Sequence, residues 1–199
     1  DGFAHQTLSG SFYNCVKVND VVTATGFTKL GVETVGTLMS RGVLLDIAKL
    51  KGVDMLGAAY VITPEDLQQA LARQRLTLQP GDVVIFNTGW GKLWGDGGIP
   101  RDSDRFNRSS PGLSIAAEEW LARQDPMMVG SDNCCIEVRT EGVGALIHPY
   151  MLAVHGIHLI ENLKLDELAA KGIYEFAFIV QPLKIKGGTG STVAPTAVH

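Results

Sequence analysis

The chain has 199 residues, of which 45% are hydrophobic, 19% charged and 7% aromatic. This composition supports a substantial core and excludes a disordered chain, a collagen and a disulfide-stapled miniprotein. The formal net charge of −4 leaves no basic excess to bind a phosphate backbone, so no nucleic-acid partner is expected.

Short runs of apolar and β-branched residues predict the strands of a buried sheet. In chain order, these runs cover residues 42–47, 82–87, 127–130, 157–161 and 175–180. Helical spacing between them predicts helices that begin after Thr63, span 114–123 and span 166–170. Because strands and helices alternate only in part, the sequence predicts a mixed α/β fold, which we expect to form a single domain over residues 1–199.

Two segments predict connections rather than regular elements. Residues 91–111 are rich in Gly, Asp, Arg, Ser and Asn, which predicts a long surface loop of the kind that often carries function. Residues 187–191 read Gly-Gly-Thr-Gly-Ser, and no helical pattern follows them. They therefore predict a tight turn between strands rather than a phosphate-binding loop.

The cysteines are Cys15, Cys134 and Cys135, an odd number with two adjacent, which is not a disulfide framework. We therefore expect reduced thiols in a cytoplasmic protein. No positive residue adjoins the adjacent pair, so buried structural thiols are favoured over a nucleophile. No Gly-x-Ser-x-Gly elbow supports a serine nucleophile, and no run approaches the ~18 apolar residues of a membrane span.

Two pairs of residues could hold a cation. Asp1 and His5 have a spacing at which a carboxylate and an imidazole can meet one ion on a turn. His148 begins an apolar stretch and Glu161 ends the strand that follows, so these side chains can also converge. His155, at a predicted helix end, and His158, in an apolar strand, are interpreted as structural.

The sequence resembles the cyclase family of metal-dependent hydrolases, which includes bacterial kynurenine formamidase and isatin hydrolase. Its hallmark is the motif His-x-Gly-Thr-His-x-Asp-x-x-x-His, and residues 1–5 are similar to the final Asp-x-x-x-His. The first two histidines of the motif are then expected before Asp1, so an amino-terminal part is expected to be missing. Further segments resemble the family in the same order: 41–46, 78–84, 87–90, 111–113, 129–132, 148–163 and 187–191.

The resemblance implies a mixed-sheet swivelling β/β/α fold, a homo-oligomer (dimer or tetramer) and a divalent metal, zinc or manganese. It implies that Asp1 is a metal ligand able to bridge two ions, and that His5 is a ligand or a catalytic base. His148 and Glu161 would complete the second site, and Glu161 could also move a proton. The interval between them is one residue longer than in the formamidases, so His155 is an alternative ligand.

Two hypotheses of function follow. The first is a metal-dependent hydrolase that opens an amide, lactam or lactone bond of a small, cyclic or aromatic substrate through metal-activated water. Phe3, Trp90 and Trp94 are candidate walls for such a substrate, although each is equally compatible with an ordinary core or loop role. The second is a non-catalytic small-molecule-binding or structural protein on the same fold, because half of the motif is absent from the sequence.

Overall fold

The structure is a computed structural model and describes residues 1–95, 101–140 and 147–199. Its strands are β1 (Val22–Thr23), β2 (Gly26–Phe27), β3 (Leu38–Asp46), β4 (Val61–Ile62), β5 (Val83–Asn87), β6 (Gly112–Leu113), β7 (Met128–Ser131), β8 (His158–Ile160), β9 (Glu175–Val180) and β10 (Thr196–Val198). Its α-helices are α1 (Val18–Val21), α2 (Ile47–Leu50), α3 (Pro64–Gln74), α4 (Ser103–Arg108), α5 (Ile115–Ala122), α6 (Ile147–Pro149) and α7 (Asp166–Lys171). The 3₁₀-helices are Tyr13–Cys15, Val32–Thr34 and Trp90–Trp94, and a π-helix spans Tyr150–His155.

A mixed six-stranded sheet in the order β10-β9-β3-β5-β7-β8 forms the centre of the molecule. β3, β5, β7 and β8 are parallel, whereas β9 is antiparallel to β3 and β10 is antiparallel to β9. The parallel strands therefore all end at the same edge of the sheet. The residues that follow them, which include Asp132 and Glu161, lie at this edge.

Both faces of the sheet are covered, which explains why its parallel strands read as continuous apolar runs. One face is packed by α3, α5 and the π-helix against Val43, Leu45, Val84, Phe86, Val129 and Leu159. The other face is packed by residues around α7 and by apolar residues of β9 against Leu44, Val83, Ile85, Met128 and Ile160. The central part of the sheet is therefore a double-sided core, and a mixed α/β fold is confirmed.

The predicted strands are confirmed with shifted ends. β3 begins at Leu38 rather than at residue 42 and ends at Asp46, because the Asp46 carboxylate caps α2 by accepting a hydrogen bond from Lys49 N at 3.1 Å. Ile47 is thus helical. The strands that the sequence did not indicate, β1, β2, β4, β6 and β10, have two or three residues each, too few to show an apolar pattern.

The predicted helices are confirmed, and their capping residues have the expected roles. α3 begins with a capping box in which Thr63 Oγ1 accepts from Asp66 N and the Asp66 carboxylate accepts from Thr63 N. Ser114 caps α5 in the same manner by accepting from Ala117 N at 3.1 Å.

The prediction of one long surface loop over residues 91–111 is wrong for its described part, and residues 96–100 lie outside the described residues. The 3₁₀-helix Trp90–Trp94 and α4 occupy this segment. Trp90, Leu93 and Phe106 bury one another in a small separate cluster. Trp90, Leu93 and Phe106 are too far apart in the sequence to form a periodic pattern, so only the folded chain brings them together.

The turn predicted over residues 187–191 lies in the connection between β9 and β10, as expected. In the described part of the chain, no helix is long and apolar enough to cross a membrane. The expectation of a single domain remains a prediction.

Candidate metal centre

The first residues of the chain lie between β8 and the connection from β9 to β10. Gly2 N donates to Thr189 O at 2.9 Å, and the backbone nitrogen of Asp1 contacts Leu159 O. His5 N closes a turn by donating to Gly2 O at 3.0 Å. This turn brings the side chains of Asp1 and His5 to the same side, with His5 Nε2 at 3.6 Å from Asp1 Oδ2.

His148 lies in α6, immediately before the π-helix. Gly156 ends the π-helix with φ +66°, a left-handed conformation that glycine adopts without strain, and the chain then returns as β8. Glu161 is the first residue after β8. The π-helix and β8 occupy most of the twelve residues between His148 and Glu161.

Four side chains converge at this point. His148 Nε2 lies 3.0 Å from Glu161 Oε1 and 3.5 Å from Asp1 Oδ2. Ligand atoms of Asp1, His5 and His148 all lie within 4.8 Å of one another. The structure thus brings together all four residues that the resemblance implied, Asp1, His5, His148 and Glu161, although their roles as ligands remain a prediction.

Two buried oxygen atoms in this cluster have no hydrogen-bond donor among the described residues. They are Asp1 Oδ2 and Glu161 Oε1. The 3.0 Å contact between Glu161 Oε1 and His148 Nε2 is an ion-pair distance without hydrogen-bond geometry. Because a buried carboxylate oxygen without a hydrogen-bond donor is costly, these two oxygens can take a further positive partner, which a divalent cation would supply.

Glu137 holds His148 from the opposite side of the ring. Its Oε2 lies 2.7 Å from His148 Nδ1, so Nε2 is the ring nitrogen that faces Asp1 and Glu161. This carboxylate–histidine arrangement is typical of metal sites, where the outer carboxylate fixes the ring and raises its basicity. No sequence pattern indicated Glu137, because nothing local distinguishes an acid in the irregular segment after β7.

The pKa shifts follow from these contacts. Burial opposes the charge of His148, but the hydrogen bond to Glu137 and the carboxylate of Glu161 outweigh it and raise its pKa to about 9. Burial and the charge of His148 lower the pKa of His5. The carboxylates therefore favour a positive charge at the centre of the cluster.

The available donors fit a divalent ion. Two carboxylates and two imidazoles suit zinc or manganese: ligand atoms of Asp1, His5 and His148 lie within 4.8 Å of one another, and Glu161 Oε1 lies 3.0 Å from His148 Nε2. Glu137 provides the outer support that such sites use.

Comparison with known proteins identifies the family. A family model described as "Putative cyclase" matches residues 15–138, more than half of the chain. The chain belongs to the cyclase family. Isatin hydrolase of Roseibium aggregatum is 29% identical over 140 residues, which cover 67% of this chain and 51% of that protein. The chain thus spans about half the length of this curated relative.

Solved structures share the cyclase fold. A crystal structure described as a novel cyclase has a TM-score of 0.89 and 34% identity, covering 100% of this chain and 68% of the other. An isatin hydrolase bound to the product analogue thioisatinate has a TM-score of 0.67 and 22% identity, covering 87% and 66%. A protein described as a potential metal-dependent hydrolase with cyclase activity has a TM-score of 0.54 and 18% identity, covering 88% and 83%. These likenesses confirm the expected cyclase-family fold.

A cavity of about 330 Å³ adjoins the candidate metal centre of this cyclase-family chain, the cluster formed by Asp1, His5, His148 and Glu161. Asp1 and Glu161 lie at its polar end, and its lining includes Leu38, Met128 and Val180. A larger cavity of about 590 Å³ lies along the ends of β3, β5 and β7. The smaller cavity is the candidate substrate site, because Asp1 and Glu161 both line it and neither lines the larger one.

The other residues considered from the sequence lie apart from the cluster. His155 is exposed beside Tyr150 at the end of the π-helix and is not among the grouped ligands, so the alternative ligand is not favoured. Trp90 is fully buried, with Nε1 donating to Phe106 O, so its proposed role as a substrate wall is wrong. Trp94 lines the larger cavity, and Phe3 stacks on His158 at 4.1 Å.

His158 itself is structural, as interpreted from the sequence. Its Nδ1 lies 3.1 Å from Asp1 O, and burial lowers its pKa to about 4. The ring is therefore neutral at pH 7 and helps to fix the backbone of Asp1. No positive residue adjoins the paired cysteines in sequence, but the fold brings Arg139 Nη1 to 3.6 Å from Cys135 Sγ.

Proposed function

We propose that this chain forms the active site of a metal-dependent hydrolase that opens an amide, lactam or lactone bond of a small, cyclic or aromatic molecule. The observation that carries the proposal is the pair of buried, unpartnered carboxylate oxygens of Asp1 and Glu161 that converge on His148 Nε2. Membership of a family that includes isatin hydrolase supports the reaction class.

Asp1, His148 and Glu161 would hold the ion, and His5 is close enough to Asp1 to act as a further ligand or as a base. A divalent ion held there would polarise a carbonyl oxygen and lower the pKa of water toward about 7. Zinc and manganese both suit the donor atoms, and we keep both as candidates.

His5 is suited to move a proton. Its side chain is 36% exposed and lies at the rim of the cluster. Burial of its inner side and the charge of His148 lower its pKa, so the imidazole is neutral at pH 7 and can accept a proton from water. It can then return that proton to the leaving nitrogen or oxygen. Glu161 is the second candidate for this transfer, through its unpartnered Oε1.

The adjoining cavity fits a small substrate with apolar surface. Its volume of about 330 Å³ is at the lower end of the range for ligand pockets. Val32, Leu38 and Val180 supply apolar lining, while Ser191 and Thr192 supply hydroxyl groups. The carbonyl of a lactam or lactone would face Asp1 and Glu161, and its ring would rest against the apolar lining.

The test compares two histidines of the same helical segment in the complete natural chain. After removal of metal with EDTA, binding of Mn²⁺ and Zn²⁺ is measured by calorimetry, and hydrolysis is measured with an aryl formamide, an isatin-type lactam, a lactone and an aryl ester. We expect His148→Ala to abolish both binding and hydrolysis, whereas the control His155→Ala retains both. Metal binding that survives His148→Ala would refute the site. A metal-loaded wild type inactive on the whole panel would favour a non-catalytic binding or structural protein on this fold.

We further propose a homo-oligomer, a dimer or tetramer, in the cytoplasm. The support is the resemblance to the family and the use of unpaired cysteines. Light scattering coupled to gel filtration measures the oligomeric state, and a monomer at all concentrations would overturn it.

A further inference from the structure

The adjacent thiols of Cys134 and Cys135 point toward each other. In extended backbone the side chains of neighbouring residues project to opposite sides, but here the two Sγ atoms are 2.7 Å apart. A turn held by buried Asn133 produces this arrangement. Its Oδ1 accepts from Ile136 N at 3.0 Å and from Cys135 N at 3.4 Å. The pair is therefore a preformed dithiol.

The surroundings of the dithiol favour reaction at Cys134. Cys134 is partly exposed, whereas Cys135 is buried behind it. Arg139 Nη1 lies 3.6 Å from Cys135 Sγ and places a positive charge beside both sulfur atoms. The hydrogen bond from Cys135 lowers the pKa of Cys134, with a further contribution from Arg139, and the same hydrogen bond and burial raise the pKa of Cys135. An accessible thiolate beside a second thiol is the arrangement of redox-sensing cysteines.

A short stretch of chain connects the dithiol to the metal centre. Glu137 N donates to Cys135 O at 2.6 Å, and the Glu137 carboxylate holds His148 Nδ1 at 2.7 Å. Between them, buried Ile136 has φ +61°, a conformation that is costly for a β-branched residue. The position of Glu137 therefore depends on the conformation of the two cysteines.

We propose that Cys134 and Cys135 form an oxidation site for hydroperoxides, and that its closure to a disulfide withdraws Glu137 from His148 and weakens metal binding. The first part stands on the dithiol alone, and the second part rests on the proposed function.

The reaction needs only the hydroperoxide as oxidant. The Cys134 thiolate attacks the terminal oxygen of ROOH, the O–O bond breaks, and the alkoxide takes a proton to leave as ROH. Cys134 then carries a sulfenic acid. Cys135 Sγ loses its proton and attacks the Cys134 sulfur, so that an S–S bond forms and hydroxide leaves with that proton as water. Two thiols and one hydroperoxide thus give one disulfide, one alcohol and one water.

Formation of a disulfide between Cys134 and Cys135 must move the backbone around them. Consecutive Cα atoms across a trans peptide are about 3.8 Å apart, below the usual ~4.4–6.8 Å between disulfide-bonded residues. On the amino-terminal side the turn is anchored by β7. On the other side, Leu113 N donates to Ile136 O at 2.9 Å and Val138 N donates to Leu113 O at 3.3 Å, so a bridge between Leu113 and Glu137 is the first anchor. The movement is therefore confined to the residues from β7 to this bridge, and Glu137 lies at its carboxyl-terminal limit.

Mass spectrometry tests the oxidation site without reference to activity. Both cysteines lie in the tryptic peptide of residues 124–139, and Cys15 lies in the separate peptide that ends at Lys17. After limited hydrogen peroxide, we expect the first peptide to lose two hydrogens and to resist alkylation until a reductant is added. Oxidation of Met127 or Met128 in that peptide adds oxygen instead and is distinguished by mass.

Three variants assign the roles of the sulfur atoms. Cys135→Ser should stop at a sulfenic acid on Cys134 that dimedone traps, and Cys134→Ser should form neither product. Cys15→Ser is the matched control and should behave as the wild type. Cys134 alkylation that is unchanged by peroxide, or a disulfide that forms only through Cys15, would overturn the proposal.

The effect on the metal centre is measured with Mn²⁺, which avoids thiolate ligands. We expect oxidation to lower Mn²⁺ affinity by about 10- to 100-fold, the usual loss when an outer-shell partner is removed. Reductant should restore the affinity, and the double Cys134→Ser, Cys135→Ser variant should not respond to peroxide. Equal affinity of the reduced and oxidised forms would refute the coupling. Binding of neither Mn²⁺ nor Zn²⁺ by the reduced wild type, with the disulfide still formed, would instead refute the proposed function.

Discussion

Asp132, which follows β7, and the pair of Asp1 and Glu161, which lies beside the end of β8, differ in how their buried oxygen atoms are satisfied. Asp132 Oδ1 accepts from Thr88 N at 2.9 Å and from Thr88 Oγ1 at 2.6 Å, and its Oδ2 accepts from Gly91 N at 3.2 Å. In the metal cluster, by contrast, Asp1 Oδ2 and Glu161 Oε1 have no hydrogen-bond donor among the described residues.

This difference distinguishes a structural acid from a candidate ligand. The Asp132 carboxylate holds the backbone between Thr88 and Gly91 and has no oxygen left for an ion. Asp1 Oδ2 and Glu161 Oε1 both lie near His148 Nε2, and neither accepts a hydrogen bond. Carboxylate oxygens are buried in both places, so the missing donors distinguish the candidate site, even though the larger cavity adjoins Asp132.

The largest expected effect is the loss of metal binding in Asp1→Asn. The amide removes the negative charge that lies near both His5 and His148, so Mn²⁺ affinity should fall by more than about 100-fold, beyond the loss of an outer-shell partner. Without metal, the unfolding free energy should change by less than about 1 kcal/mol, because Oδ2 has no donor to lose. Calorimetry with Mn²⁺ and urea unfolding measure the two quantities.

The matched change in the other group, Asp132→Asn, should have the opposite result. The amide cannot accept from both Thr88 and Gly91, so the unfolding free energy should fall by about 2 kcal/mol. The folded protein should bind Mn²⁺ as tightly as the wild type. If Asp132→Asn abolished metal binding and kept stability, the distinction between the two groups would be wrong.

Glu137→Gln tests the outer support of the metal cluster. The amide keeps the size of the side chain but no longer provides a carboxylate for His148 Nδ1, so metal affinity should fall by about 10- to 100-fold. Calorimetric titration with Mn²⁺ measures the change. An unaltered affinity would mean that Glu137 is only a packing residue.

Glu118 is a third acid with an unpartnered oxygen, and it lies in α5. Its Oε1 is also buried without a donor, but, unlike Glu161, it forms no ion pair with a histidine among the described residues. Burial and the charge of Glu119 raise its pKa to about 7 from an ordinary value of 4.5. We therefore expect a proton to neutralise the Glu118 carboxylate, whereas a cation would neutralise those of Asp1 and Glu161.

The sign of the pH dependence follows from this shift. The folded state holds the Glu118 proton more tightly than the unfolded state, so the contribution to stability is complete below pH 4.5 and is lost as the pH rises through about 7. Between pH 5 and 8 this loss should be about 2 kcal/mol, and Glu118→Gln should remove it. Urea unfolding across this range measures the slope. Glu119→Gln, which changes the exposed neighbour, should keep most of it.

Local sequence patterns were sufficient for the regular elements. The apolar runs of β3, β5 and β9 and the cap of α3 at Thr63 depend on residues within a few positions, and these elements formed where expected. The pairs Asp1 with His5 and His148 with Glu161 could be named from spacing and family resemblance. A turn joins the first pair, and one helical segment and one strand join the second.

Only the tertiary structure decided which groups meet across the chain. Parallel pairing of β7 and β8 brings the segment that carries Glu137 and the paired cysteines toward His148 and Glu161. Burial of Trp90 beneath Phe106 depends in the same way on a contact between distant positions. The sequence by itself determined the five main strands, because local periodicity encodes them, and spacing with family resemblance named the metal-ligand candidates. The unpartnered oxygens and the support from Glu137 arise from long-range packing, which no local pattern records.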